Sequence, residues 1–169
     1  MANTNSENPH VGRRFQELAK KCLDKEFKTS FEQEAVVFIG EPAKGHKFDL
    51  ASPNHDIIAE CKCYTWTESG NVPSAKLMGL DEAVFYFSFL PAETRKILCM
   101  KKAKSPGKQE TLAEYYVKVH GHLLKDVHVY EISDDETIKE IRNGDSPNIE
   151  AEQASFSVSD GYSKNLLKT

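Results

Sequence analysis

The sequence has no long apolar run. None approaches the roughly 18 residues that a membrane-spanning helix requires, and Met1 to His10 is polar, with no hydrophobic segment of the kind a secretory signal carries. Cysteine is sparse, at Cys22, Cys61, Cys63 and Cys99. Cys61 and Cys63 flank Lys62 on one extended run and share its face, so no disulfide framework is evident and a reduced, cytoplasmic compartment is expected. Cys61-x-Cys63 also lacks the second pair that a structural zinc site needs. There is one tryptophan, Trp66, and no internal repeat.

A strong charge of either sign is missing from most of the chain. The net charge of −4 is concentrated at one end: from Glu131 to Thr169 there are nine acids against four bases, and residues 1–130 are close to neutral. That balance permits phosphate binding through local basic clusters without demanding it. Hydrophobic residues make up 39% and charged residues 28%, enough for one core. The expected organisation is a flexible leader over 1–10, one domain over 11–144 and a polar, acidic tail over 145–169.

From Val11 the pattern is helical. Phe15, Leu18, Ala19, Cys22 and Leu23 recur at i, i+3, i+4, i+7 and i+8, one apolar stripe. Ala35 to Ile39 is β-branched and aromatic, closed by Gly40 and Pro42, and reads as a strand. His46 to Ala51 is a second strand, Ser52-Pro53-Asn54 a turn, and His55 to Tyr64 a third strand, apolar at Ile57, Ile58 and Ala59. A helix is expected from Pro73 to about Leu90, a strand over Lys96 to Met100, a helix from Gln109 to about His120 and a strand over Val127 to Ile132. Ser133-Asp134-Asp135-Glu136 has the form of an N-cap with acids in the first turn, predicting a short helix through Ile138 and Ile141. The order α-β-β-β-α-β-α-β-α gives a mixed α/β domain.

One constellation carries chemistry. Asp49 ends one apolar run, and eleven positions later Glu60-Cys61-Lys62 stands on the next. Side chains on a strand alternate faces, so Glu60 and Lys62 point one way and Cys61 the other. On adjacent strands of a hairpin Asp49 can reach the same place. Two carboxylates suit Mg²⁺ or Mn²⁺. A lysine beside a metal-bound water can orient it, lower its pKa or stabilise charge on a phosphate. The bland alternative is a hairpin with solvated or salt-bridged charges. Burying charge without use is costly, however, and Glu60 follows an apolar run.

Phe48-Asp49 followed by Glu60-Cys61-Lys62 resembles the motif of the PD-(D/E)xK nucleases, with Phe48 where proline is often found. The family core is α-β-β-β-α-β, the order read here from Val11 to Met100. The resemblance spans roughly the first 130 residues and implies a restriction-endonuclease-like fold, as in restriction enzymes and Holliday junction resolvases. It implies Mg²⁺-dependent cleavage of DNA, with Mn²⁺ as a substitute, leaving 5′-phosphate and 3′-hydroxyl ends. Metal would be held by Asp49, Glu60 and the Cys61 carbonyl. The family also carries a glutamate on its first helix. Here Gly12-Arg13-Arg14-Phe15 is followed by Gln16, then Glu17. At about 100° per residue, Gln16 lies about 90° from the centre of the apolar stripe and Glu17 about 170°. Gln16 is therefore the residue expected to complete the site, through an uncharged amide oxygen, with Glu17 the alternative.

Ser74 and Lys76, at the start of the second helix, are candidates for a phosphate contact, or else a cap and a solvated lysine. Lys101, Lys102 and Lys104, with Lys108, form a basic loop, and Arg13 and Arg14 a second basic pair. Either could touch DNA or simply be solvated. Trp66 could stack on a base or pin its loop to the core. His46 and His55 flank the hairpin and could assist near a metal, or be simply exposed turn histidines, and His120-x-His122 lacks convergent partners. The chain has no room for a separate target-recognition domain. It is therefore expected to form a homodimer on duplex or branched DNA, to read structured DNA or a short site through loops, or to work inside a larger restriction or repair system.

Overall fold

The computed structural model describes residues 8–145. The expected acidic tail lies almost wholly outside that range, as do residues 1–7 of the expected leader. Residues 8–10 are helical, so helix α1 (Asn8–Phe27) starts earlier than its apolar pattern. Phe15, Ala19, Cys22 and Leu23 are buried on it as the stripe requires.

The remaining elements are β1 (Glu32–Ile39), β2 (Lys44–Ala51), β3 (Ile57–Lys62), α2 (Ser74–Phe87), β4 (Arg95–Lys101), α3 (Leu112–His120), a 3₁₀ turn (Gly121–Leu123), β5 (Val127–Ile132) and β6 (Ile138–Arg142). They form an α/β fold around one six-stranded mixed sheet in sequence order β1 to β6. β1–β2, β2–β3 and β5–β6 are antiparallel; β3–β4 and β4–β5 are parallel, joined through α2 and α3. Parallel strands need such crossovers because a tight turn cannot reverse the chain twice. Among the described residues no helix is long and apolar enough to cross a membrane.

Both faces of the sheet are covered. On one face α1 packs Phe15, Ala19 and Leu23 against Leu50, Ala59, Ile97, Cys99, Tyr130 and Ile132. On the other, α2 and α3 bring Leu77, Leu80, Phe87, Leu112 and Tyr116 onto Phe48, Ile58, Leu98 and Val129. The central strands β4 and β5 are therefore buried along nearly their whole length, including the polar Lys96, His128 and Glu131.

Two expectations are corrected. Residues 138–142 form strand β6, not a helix. Ser133 to Thr137 is the turn of a β5–β6 hairpin, closed by Ser133 N–H to the Thr137 carbonyl (2.9 Å), with Glu136 at a φ of +66°. The Asp135 carboxylate accepts from Thr137 N–H at 3.1 Å, a local turn bond. Ser and Asp serve turns by the same hydrogen bonds that make them helix caps, which is why the segment reads both ways. At α2, Pro73 occupies the N-cap position and no side chain caps the helix, so Ser74 is not a cap. α3 does have its capping box, with Glu114 N–H on Thr111 Oγ1 (3.3 Å) and Thr111 N–H on Glu114 Oε2 (2.9 Å).

Phe48 is fully buried and stacks on Phe87 of α2, ring centroids 5.9 Å apart. It fixes the strand on which Asp49 stands. Phe48→Ala should lower stability by roughly 3–5 kcal/mol, the usual cost of an emptied aromatic core site. Guanidinium unfolding monitored by circular dichroism checks this. A loss below about 1 kcal/mol would mean that the α2 face closes around the gap.

Candidate metal and phosphate site

The site sits where the sheet comes apart. β2 and β3 pair only at Leu50–Ala59 and Ala51–Ile58. The turn joining them is tied by Ser52, whose hydroxyl bonds Asp56 and accepts Ile57 N–H at 2.9 Å. The next residues in that register, Asp49 and Glu60, are not paired through their backbones. Instead the Asp49 carboxylate accepts the Cys61 main-chain N–H at 2.8 Å. A side chain thus replaces the strand ladder. Glu34, opposite Asp49 in β1, has a φ of +53°. Phe48 and Leu50, two residues apart, accordingly pack on opposite faces of the sheet. This local twist is how Asp49 can turn toward β3 between two core anchors.

Glu60 is buried, only 7% exposed, and takes a hydrogen bond from Lys62 Nζ at 3.1 Å. Burial pushes its carboxyl up to about 7, and the charge of Asp49, close enough to share a hydrogen bond with it, adds to that rise. Lys62 pulls the other way and does not win. For Lys62 itself burial lowers the pKa, but Glu60 and Asp49 together outweigh it and hold the ammonium above its ordinary value. The structure therefore brings together the three side chains picked out by spacing, as one electrostatically coupled unit. It is acid-rich and short of positive charge.

The Cys61 side chain points away, onto the α1 face. Its hydrogen bond with Cys99, its register neighbour on β4, and its burial hold the thiol well above its usual pKa, so it is no thiolate ligand. What it offers the site is main chain. The N–H and C=O of one strand residue point to the same edge, so the Cys61 carbonyl opens on the same gap as the amide that Asp49 takes. Two carboxylates and one carbonyl fit a hard divalent cation. Charge repulsion between the carboxylates is the strain such an ion would relieve. Among the described residues there is no cluster of three or more His, Cys, Asp or Glu side chains able to hold a metal, so further ligands would have to be water or substrate oxygens.

Gln16 reaches this place from α1, as its helical angle requires, and Glu17 is exposed. Its Nε2 donates to the Asp49 main-chain carbonyl at 2.7 Å. Its visible work is thus to pin α1 to the strand that carries Asp49.

On the other flank, His46 is half-buried within β2 and not an exposed turn residue. It stacks on Tyr86 of α2 at 3.9 Å and meets Phe48 edge-on at 4.6 Å. Burial lowers its pKa; the charge of Glu82 opposes that, and the charge of Lys62 adds to it. Tyr64, two residues past Lys62, also lies within the lysine's field. Its hydroxyl sits against α2 at Gly79, where an added Cβ would come within 2.7 Å of it. His46 is read in the sequence as a residue flanking the hairpin; Tyr64 does not stand out there, and its signals are the i+2 step from Lys62 and a glycine inside a helical pattern.

The other expected contacts lie outside this cluster. Ser74 and Lys76 are exposed on the first turn of α2; Arg13 and Arg14 are exposed on α1; Lys102 and Lys104 are exposed after β4. Among the described residues none of these five cations has an ion pair, whereas Lys101 is held by Asp134 at 3.0 Å. Trp66 is buried, donates to the Ala103 carbonyl at 3.1 Å and carries Lys108 over its ring at 5.0 Å. It pins the loop after β3 to the loop after β4 and offers no free face to a base.

The chain matches no known protein-family model, no curated protein and no solved structure.

The raised Glu60 pKa has a sign that can be measured. Stability tied to this proton is fully present below its ordinary value of 4.5 and is lost as pH rises through about 7. The loss is on the order of 3 kcal/mol. Wild type and Glu60→Gln should unfold with similar Tm near pH 4.5, the wild type falling behind by pH 8. Added Mn²⁺ should restore the wild type alone. A pH-independent difference would mean that Glu60 ionises at little cost.

Proposed function

We propose that this protein is a metal-dependent endonuclease that hydrolyses DNA phosphodiester bonds, of the PD-(D/E)xK, restriction-endonuclease-like kind, acting in restriction, repair or recombination. One observation carries the reading. A buried glutamate, a half-buried aspartate and a half-buried lysine meet where two antiparallel strands part, and the charge of Asp49 adds to the cost of ionising Glu60. A merely solvated hairpin has no reason to bury a glutamate beside them. The element order α-β-β-β-α-β agrees with the family's core.

In this reading Asp49, Glu60 and the Cys61 carbonyl hold Mg²⁺ or Mn²⁺. When bound, the ion would supply Lewis-acid activation of water and of the scissile phosphate. Lys62, kept charged by the two carboxylates, orients the attacking water and offers positive charge to the phosphate as it gains negative charge. Glu60 holds Lys62 in place. Gln16 holds Asp49 through its carbonyl. Arg13, Arg14, Ser74, Lys76, Lys101, Lys102 and Lys104 lie on elements that begin or end at the same end of the sheet, the carboxyl ends of the parallel strands. Open sheets commonly bind ligands there. A homodimer would present one site to each strand of a duplex.

A second reading is a nuclease-fold module that binds DNA or protein without cutting. It is favoured by Gln16, whose amide is already engaged by the Asp49 carbonyl and brings no charge to the site.

The deciding assay incubates the protein with supercoiled plasmid and with branched DNA in Mg²⁺ or Mn²⁺. Nicking should fall at least about a hundredfold in Asp49→Asn and in Lys62→Ala. If the wild type binds DNA but nicks nothing, or if the two variants nick as well as wild type, the endonuclease reading is wrong.

A further inference from the structure

On the opposite flank of α1 from Gln16 lies a cavity of about 460 Å³, lined by Val11, Arg14, Phe15, Leu18, Lys101 and Asp134. Its volume is that of an ordinary small-ligand pocket. One wall is the α1 ridge Val11–Arg14–Leu18, whose spacing of three and four residues puts these side chains in a row. The other wall is the β5–β6 turn. That turn is clamped to α1 below the cavity, because Glu136 takes both Lys21 and Lys25 and its carbonyl receives the Cys22 thiol at 3.6 Å. The cleft is thus built by tertiary contacts, and Arg14 and Asp134 are exposed on it.

Its chemistry is two-part. Val11, Phe15 and Leu18 make an apolar floor, and Arg14 and Lys101 place two cations at its edge. The Lys101 ammonium is held by Asp134 at 3.0 Å, and the Asp134 side chain is 77% exposed. An exposed carboxylate pair of this kind is worth little and is easily displaced. Arg14 has no carboxylate partner among the described residues. Asp134 therefore stands where an oxygen of an anionic ligand would go.

The place is also next to the candidate site. Lys62 is in register with Met100, so Lys101 is one strand across and one residue on, roughly 6 Å between Cα atoms by strand spacing. Alternation turns Lys101 toward the α1 face and Lys62 toward α2. A chain crossing the ends of β3 and β4 would meet both.

We propose that this cleft is a single-nucleotide pocket. It takes one unit of a nucleic-acid strand, the base on Val11, Phe15 and Leu18 and the phosphate on Arg14 and Lys101, with Asp134 displaced. The inference rests on the endonuclease reading for the identity of the strand, since the neighbouring unit would lie at Asp49, Glu60 and Lys62.

The test is fluorescence anisotropy of a ten-residue single-stranded DNA in EDTA, where no cutting occurs, with thymidine monophosphate and inorganic phosphate as competitors. Arg14→Ala and Lys101→Ala should each weaken binding about tenfold, the scale of one charge-assisted phosphate contact. Asp134→Asn, an exposed change with little risk to the fold, should tighten it severalfold. Thymidine monophosphate should compete at lower concentration than inorganic phosphate, and Leu18→Gln should erase that advantage. Unchanged affinity in both Arg14→Ala and Asp134→Asn, or equal competition by the two phosphates, would overturn the pocket. If nicking nonetheless depends on Lys62, only the pocket fails. If the monophosphate binds through Arg14 and the plasmid stays intact, only the endonuclease reading fails.

Discussion

The bond from the Cys61 amide to the Asp49 carboxylate is the contact on which the candidate site depends. An amide at the edge of a strand has to be satisfied, and within a sheet it is normally satisfied by the next strand's carbonyl. Here β2 has already turned away, and Asp49 stands in for it. The substitution fixes the carboxylate beside Glu60. It frees the Cys61 carbonyl from an antiparallel partner and opens a gap lined by oxygen. Everything around it maintains that opening: Ser52 closes the turn below, Phe48 and Leu50 anchor opposite faces, and Gln16 holds the Asp49 backbone from α1.

The electrostatics follow from the same geometry. Two carboxylates at the mouth of a sheet gap cannot both be charged cheaply when one is 7% exposed, and one lysine offsets only part of that cost. The imbalance is carried by a sheet whose next strands, β4 and β5, are almost wholly buried and supply most of the core. In the reading proposed above, a cation bound by Asp49 and Glu60 would complete the charge balance.

Much of this could be read from the sequence, for reasons that differ by element. The stripe Phe15–Leu18–Ala19–Cys22–Leu23, the strands before and after Ser52 and the run Lys96–Met100 are set by hydrophobic period, and tertiary contacts reinforce the local preference. The convergence of Asp49, Glu60 and Lys62 was legible because alternation and a tight turn leave little freedom. The residues past Ser133 were not, because Ser and Asp satisfy a turn and a helix start by similar bonds. Which one forms was decided by pairing of Ile138 to Arg142 with β5, a long-range fact. The stacking of His46 on Tyr86 and the Arg14–Lys101 cleft were hidden for a related reason: each is made by residues far apart in sequence. Trp66 was ambiguous until the Ala103 carbonyl was seen to take its indole N–H.

Gln16 then gains a physical meaning. A carboxylate at that position could bind a cation more strongly, but it could not donate to the Asp49 carbonyl, and it would set a further negative charge near Glu60, which is already hard to ionise. An amide donates through nitrogen and keeps an oxygen acceptor as well. In a site where Glu60 already titrates near neutrality, the neutral side chain lets α1 grip β2 without raising that pKa further. The substitution of amide for acid is therefore consistent with a site whose charge is set by Asp49, Glu60 and Lys62 alone, and in which α1 serves to position the strand and not to add a ligand charge.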